Sequence, residues 1–181
     1  TPNANFTGID GFTYTVSDGH GNTATGTVTV TVNNTAPVAD AGTASTNSNT
    51  PATVTLSGGD ANGDALTFAI ATGPVNGSLG AISNTSCTSA IPSSCTATVV
   101  YTPNTNYNGS DSFTFTVNDG TATSSPAAVN LTILNQAPTA NPDSSTVPKN
   151  SSNNIVDVLA NDTDPEGDTL KITAVSQPAN G

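Results

Sequence analysis

Short stretches in which apolar residues alternate with hydroxyl-bearing residues run along the whole chain. Residues 113–117 read FTFTV, and residues 129–133 read VNLTI. A period of two places the apolar side chains on one face of a β-strand, and threonine suits the exposed face of a pleated sheet. Glycine, aspartate and asparagine cluster between these stretches, and no segment has a sustained helical period. The pattern therefore predicts an all-β protein built from short strands.

The chain also repeats itself. Residues 1–19 match residues 102–120 at an offset of 101, and residues 58–77 match residues 162–181 at an offset of 104. Between repeated turn signals, a unit of about 100 residues holds about seven short strands, which is typical of an immunoglobulin-like β-sandwich. The sequence therefore predicts tandem sandwich domains.

The repeat divides the chain into one complete unit and two partial ones. We expect a complete sandwich over 36–136, the C-terminal strands of a preceding repeat over 1–35, and the N-terminal strands of a following repeat over 137–181. Two interpretations of the partial units stay open: a window on a longer tandem array, or completion of one molecule by the strands of another.

Charge narrows the range of partners. The chain has 2 Lys and Arg against 13 Asp and Glu, for a formal net charge of −11. Nucleic acid and anionic membranes require a basic surface, so both are disfavoured, whereas cations are favoured. The apolar runs are far shorter than the ~20 residues of a membrane-spanning helix, so no membrane insertion is expected in this segment.

Two cysteines, Cys87 and Cys95, lie eight residues apart in CTSAIPSSC. They are too far apart for a CxxC motif and no cluster of cysteine and histidine accompanies them, so the sequence favours a local disulfide over free thiols. A disulfide also indicates an oxidising compartment.

Acidic residues are crowded into one loop, although charged residues make up only 8% of the chain. Alternating carboxylates in a loop can supply several of the oxygen ligands that Ca²⁺ prefers. The candidate calcium ligands there are Asp162, Asp164, Glu166 and Asp168. The matching loop of the middle unit has Asp60, Asn62 and Asp64 and is expected to bind more weakly, because it has fewer charges. The alternative is a turn without a metal, since Asp, Asn and Gly hydrogen-bond their own backbone.

The other repeated aspartates are interpreted as structural. Asp18 and Asp119 precede glycine and are expected in hairpin turns. Asp10 and Asp111 come just before a strand and are expected to accept loop-fixing hydrogen bonds. The only histidine, His20, lies in a glycine-rich turn with no nucleophile indicated beside it, so the sequence predicts no enzyme activity.

Eight Asn-x-Ser/Thr sequons mark candidate glycosylation sites on the expected exposed loops and strands. They are Asn5, Asn33, Asn76, Asn84, Asn108, Asn130, Asn150 and Asn161.

The stretches YTPNTNYNGSDSFTFTVNDG, NQAPTANPDSSTV and IVDVLANDTDPEGDTLKITAVSQPANG resemble the cadherin-like and immunoglobulin-like tandem repeats of large bacterial surface proteins and adhesins. That resemblance implies an extracellular or cell-surface location, neighbouring repeats as partners, and often calcium. The junctions NTAP and NQAP lack the acidic linker of vertebrate cadherins, so the resemblance does not extend to a calcium clamp of that kind.

We therefore expect a structural segment of an extracellular repeat protein, such as an adhesin stalk, a surface fibre or a matrix component, with calcium as a stiffening ion. One alternative is a filament subunit that self-associates into fibres by strand exchange. A second alternative is a glycan-binding accessory module of a secreted enzyme.

Overall fold

In the computed structural model, residues 1–3 and 6–179 are described, and they form eleven β-strands and no helix. The prediction of an all-β fold is thereby confirmed. The strands are β1 (Gly8–Ser17), β2 (Thr23–Val32), β3 (Val38–Asp40), β4 (Gly42–Asn47), β5 (Ala52–Asp60), β6 (Thr67–Thr72), β7 (Gly77–Leu79), β8 (Ser83–Cys87), β9 (Ser93–Pro103), β10 (Gly109–Asn118) and β11 (Ala127–Leu134).

Strands β3 to β11 form two sheets. One sheet has the order β4-β11-β10-β6, and the other has the order β3-β5-β9-β7, with β8 also paired to β9. The first strand of the unit is divided between the sheets: β3 pairs antiparallel with β5, and β4 pairs parallel with β11. The two orders are those of an immunoglobulin-like sandwich, in which strands that are distant in sequence become neighbours.

The core lies between these two sheets. Along β9 the residues alternate between buried and more exposed positions, as the period-two pattern requires. The opposite sheet contributes Phe113, Phe115 and Val117 of β10, each at most 1% exposed. Phe68 stacks on Phe115 with 6.1 Å between ring centroids. Burying such side chains contributes roughly 1.5–3 kcal/mol each, so the alternating stretches are the main source of stability.

Strands β1 and β2 form a separate two-stranded hairpin. Phe12, Tyr14 and Val16 of β1 are the counterparts of the three β10 core residues at the offset of 101, yet they are 58%, 51% and 53% exposed. In this hairpin the apolar face has no second sheet packed on it within the described residues.

Residues 137–179 contain no strand, although strands were expected there; one isolated bridge joins Thr139 to Thr163. The physical reason is pairing. In the complete unit, β5 is held mainly by β9, and residues 137–181 contain no counterpart of β9. A strand without a partner leaves its backbone hydrogen-bonding groups unpaired, so the segment keeps its turns but not its sheet.

Candidate functional site

The loop that follows β5 is shaped by the side chain of Asp60. Its Oδ1 accepts hydrogen bonds from the backbone N–H groups of Asn62 (2.8 Å) and Asp64 (3.1 Å). Gly63 has a φ of 91°, which a residue with a Cβ adopts only with strain. The loop therefore places the carboxylates of Asp60 and Asp64 on the same turn, with Asp60 only 1% exposed.

A second turn brings Asp119 to this loop. Asp119 follows β10, and its Oδ1 accepts hydrogen bonds from the backbone N–H groups of Thr121 (2.7 Å) and Ala122 (2.6 Å). Carboxylate oxygens of Asp60, Asp64 and Asp119 lie within 4.8 Å of one another. Two turns that are 55 or more residues apart in sequence thus form one acidic cluster, which we call the Asp60 cluster.

The electrostatics of the Asp60 cluster follow from its crowding. Burial raises the pKa of Asp64, and the charges of Asp60 and Asp119 act in the same direction. Burial acts to raise the pKa of Asp119 as well, but the hydrogen bond from Asn34 and those from the backbone of Ala122 and Thr121 outweigh it, so that pKa is lowered. No Lys or Arg occurs before Lys149 in the sequence, so residues 1–148 offer no such side chain to balance these charges.

The linker that follows the β1–β2 hairpin also reaches this cluster. The Nδ2 of Asn34 donates to Oδ2 of Asp119 (2.8 Å), and the backbone N–H of Thr35 donates to Oδ1 of Asn62 (2.7 Å). We call this arrangement the first junction: Asn34 and Thr35 against residues 60–64 and Asp119. Within the described residues, Oδ2 of Asp60 and Oδ1 of Asn34 are buried there without a hydrogen-bond partner.

The acidic loop 162–168 has the same turn. Oδ1 of Asp164 accepts from the backbone N–H groups of Glu166 (2.9 Å) and Asp168 (3.0 Å). Gly167 has a φ of 76°, close to that of Gly63. Oδ1 of Asp162 accepts from the backbone N–H of Asn141 at 2.7 Å, outside the turn. The backbone of this loop therefore forms the hydrogen-bonded turn that the sequence offered as the alternative to a metal site.

The sequence suggested Glu166 as a calcium ligand, whereas in the structure its carboxylate accepts hydrogen bonds. It is 4% exposed, and its carboxylate accepts from the backbone N–H of Gln136 (3.3 Å) and from its Nε2 (3.2 Å). We call this the second junction: Asn135 and Gln136 against residues 164–168. Among the described residues, the loop 162–168 forms no group of three carboxylates with mutually close oxygens.

The remaining sequence predictions concern structural residues. Cys87 and Cys95 are joined by a disulfide that links β8 to β9. Asp111 accepts hydrogen bonds from the backbone N–H groups of Val75 and Asn76, each at 3.0 Å, and from the hydroxyl of Tyr101 at 2.9 Å. Its expected role as a loop-fixing acceptor is therefore confirmed. Burial acts to raise the pKa of Asp111, but these hydrogen bonds and that of Ser112 outweigh it and lower the pKa.

Seven candidate glycosylation residues lie in the described part of the chain, and Asn5 lies outside it. Asn76 is half-buried, and the others are exposed: Asn33, Asn84, Asn108, Asn130, Asn150 and Asn161. Glycosylation of these residues stays a prediction.

The family model of the bacterial Ig domain matches the chain in three segments, residues 1–31, 34–132 and 135–181. The chain belongs to this family. The resemblance to bacterial immunoglobulin-like repeats is confirmed, and the sandwich described above is a bacterial Ig domain. A comparison with curated proteins finds no match.

Two solved structures that match are the endo-fucoidan hydrolases MfFcnA4 and MfFcnA9 from glycoside hydrolase family 107. Their identities to the chain are 24% and 19%, and their TM-scores are 0.36 and 0.39. Each match covers 74% of this chain but only 20% or 23% of the hydrolase, so the chain spans about a fifth of their length. Likenesses this distant carry no argument about activity, and the glycan-binding alternative stays a prediction.

The sequence did not predict that two residues, Asn34 and Asp119, take part in the first junction. Asp119 was expected only as a turn residue, and Asn34 was not singled out. Asn34 and Asp119 are 85 residues apart. The one signal that could have found them is their position: Asn34 opens the junction NTAP that precedes the complete unit, and Asp119 occupies a hairpin turn of that unit.

Proposed function

We propose that the chain is a structural, non-enzymatic segment of an extracellular repeat protein, in which Ig domains follow one another as a stiff stalk or fibre. Bacterial Ig domains are commonly extracellular and are typically not catalytic, which supports this proposal. The described residues contain no helix that could cross a membrane. In this proposal, residues 1–35 and 137–181 are parts of neighbouring units.

The observation that carries the proposal is a hydrogen bond that recurs at both junctions. At the first junction the backbone N–H of Thr35 donates to Asn62, and at the second the backbone N–H of Gln136 donates to Glu166. Thr35 and Gln136 are counterparts at the offset of 101, and Asn62 and Glu166 are counterparts at the offset of 104. Each linker is thus tied to the same loop of the unit that follows it, which in the complete unit is the loop after β5.

Proline further restricts the backbone conformation of both linkers. Ala-Pro follows the tied residue at each junction, with Pro37 in one and Pro138 in the other. Proline fixes φ near −65° and restricts the residue before it to extended conformations. A tied and restricted linker transmits direction from one unit to the next, and units that contact mainly their neighbours can be added in series.

Small-angle X-ray scattering of the full chain tests this proposal. Stiff end-to-end units predict a radius of gyration well above the ~16 Å of a compact globule of this length. A variant that combines Pro37→Gly and Pro138→Gly should broaden the distribution of interatomic distances. A compact particle, or unchanged scattering by the variant, would contradict the proposal. Antibody labelling of intact cells of the producing bacterium tests the extracellular location.

A second candidate function is assembly of chains into filaments by strand exchange. The exposed apolar face of the hairpin favours it, because Phe12, Tyr14 and Val16 occupy positions that are core in the complete unit. Exposed apolar faces of this kind mark association sites. Sedimentation velocity over a hundredfold range of concentration separates the two candidates: the stalk segment sediments as one species, whereas the filament subunit grows with concentration.

A further inference from the structure

We propose that Ca²⁺ binds at the first junction, held by carboxylates of Asp60, Asp64 and Asp119 together with the side-chain oxygen of Asn34. The ion would then tie the linker after the hairpin to the sandwich that follows. The structural role proposed above does not require this ion, so each proposal can fail alone.

The spacing of the carboxylates fits a single ion. Calcium lies about 2.4 Å from each oxygen ligand, so two ligands on opposite sides of it are about 4.8 Å apart. The oxygens of the three aspartates lie within that separation of one another. The backbone turns hold Asp60 and Asp119 through Oδ1 of each side chain. Oδ2 of Asp60 has no hydrogen-bond partner among the described residues, and Oδ2 of Asp119, which accepts from Nδ2 of Asn34, would be shared between that donor and the ion.

Two buried oxygens at this junction, one of Asp60 and one of Asn34, support a cation site. Oδ2 of Asp60 is buried in a residue that is 1% exposed, and it has no hydrogen-bond partner among the described residues. Oδ1 of Asn34 is buried and lacks a partner in the same part of the chain, although Nδ2 of that side chain is bonded to Asp119. Buried polar atoms are nearly always satisfied, so two unsatisfied acceptors at one acidic junction indicate a positively charged partner.

The chemistry of the donors selects the ion. Every candidate ligand is a carboxylate or amide oxygen, which suits a hard cation, and the cluster contains no sulfur or imidazole to favour zinc. Calcium accepts irregular sets of six to eight oxygens, whereas magnesium demands a near-ideal octahedron. A cleft of about 180 Å³, lined in part by Val32, Asn62 and Asp64, opens beside the cluster and gives the ion a path of entry.

The second junction lacks the features that define this site. Both oxygens of Glu166 accept from Gln136. Among the described residues, no three carboxylates with mutually close oxygens come together at the second junction. The more acidic loop is therefore the poorer site in this chain, which reverses the order expected from charge alone.

Calorimetric titration of CaCl₂ into the chelator-treated full chain tests the site. We expect one binding event, weakened about tenfold or more by Asp119→Asn because affinity follows ligand charge. Asn keeps the acceptor that shapes the turn, and circular dichroism checks that each variant is folded. Asp18→Asn is the matched control, since Asp18 accepts the same kind of turn hydrogen bonds in the hairpin, far from the cluster in sequence.

Calcium should also raise the melting temperature of the wild type and of Asp18→Asn, and raise that of Asp119→Asn much less. The proposal is overturned if calcium gives no binding heat, if Asp18→Asn weakens binding as much as Asp119→Asn, or if Asp164→Ala abolishes the event.

Discussion

The two junctions are built on counterpart loops, residues 60–64 and 164–168, whose side chains have different partners. At each one an aspartate shapes a turn through two backbone hydrogen bonds, and a glycine at positive φ follows. The linker that precedes the unit donates a backbone N–H to the residue just before that glycine. At the first junction that residue is Asn62, and three carboxylates from two turns converge beside it. At the second junction it is Glu166, whose carboxylate is bonded by Gln136.

This difference shows that the charge of a loop is a poor guide to what the loop does. The loop with four acidic residues uses its buried carboxylate as a hydrogen-bond acceptor. The loop with two acidic residues gains a third from Asp119 and leaves buried oxygens unsatisfied among the described residues. The surroundings of the turn, supplied by distant strands, decide between the hydrogen-bonded second junction and the acidic first junction at which we propose a cation.

The sandwich separates the two junctions, and we expect Asp111→Ala to destabilise it more than any other change considered below. The change removes the acceptor of two N–H groups and of the buried Tyr101 hydroxyl. Unsatisfied buried groups cost roughly 1–3 kcal/mol each, so we expect a loss of about 3 kcal/mol in the free energy of unfolding. Urea unfolding measures it.

Asp10→Ala is the control for that change. Asp10 is the counterpart of Asp111 at the offset of 101, but it is exposed, and its side chain accepts from the adjacent Gly11 N–H. Its loss should stay within about 0.5 kcal/mol, as for surface substitutions in general. Equal losses in the two variants would show that the sandwich is not held in the way described.

The turn glycines give a second, smaller difference between the junctions. Gly63→Ala and Gly167→Ala both force alanine into positive φ, at about 1 kcal/mol. At Gly63 a Cβ would also lie 2.7 Å from Cγ1 of Ile91, whereas at Gly167 the nearest atom is 3.9 Å away. We therefore expect a loss of about 2 kcal/mol for Gly63→Ala and no more than about 1 kcal/mol for Gly167→Ala in chemical denaturation. Equal losses of unfolding free energy in the two variants would contradict the tighter packing around Gly63.

Amide exchange resolves the junctions individually. Glu166→Ala removes the acceptor of the Gln136 N–H, and a hydrogen bond to a charged group is worth about 1.5–3 kcal/mol. We expect exchange of the Gln136 amide to accelerate about tenfold or more while that of Thr35 stays unchanged. Asn62→Ala should accelerate exchange of the Thr35 amide and leave that of Gln136 unchanged. The acceleration should be smaller, because the amide oxygen of Asn62 is a neutral acceptor. NMR-detected exchange in which both amides respond to either variant would mean that the junctions are coupled.

The smallest expected effect is the response of the sandwich to acid. Hydrogen bonds lower the pKa of Asp111 below the ~3.9 of an unfolded aspartate. The carboxylate therefore contributes stability above pH ~4, and that contribution is lost as the pH falls through the lower, folded-state pKa. Melting temperatures measured from pH 7 to pH 2 should fall less steeply for Asp111→Asn than for the wild type. Parallel curves would contradict this assignment.

Much of the sandwich could be predicted from sequence, because strand faces follow a local period. The alternation around Phe113 and Val129 defines the buried face of β10 and β11 directly. The Asp60 turn was predictable for the same reason, since its hydrogen bonds span four residues. The structure has no strand in 137–179, although strands were expected in 137–181, because a strand depends on a partner and not only on its own pattern.

The full composition of the first junction could not be predicted from local patterns. Asn34, Asp60 and Asp119 meet only because β5 and β10, in opposite sheets, finish at the same end of the sandwich, and that proximity depends on the pairing of distant strands. The burial that leaves an oxygen of Asp60 without a partner in the described structure is likewise a tertiary property.

The most direct test of the account is NMR-detected amide exchange on the full chain, in calcium and then in excess chelator. The account predicts that the Thr35 amide is more protected in calcium, because the ion holds Asn34 and the loop that accepts from Thr35, while the Gln136 amide exchanges at the same rate in both conditions. Equal protection of Thr35 with and without calcium, or a calcium response at Gln136 instead, would contradict it.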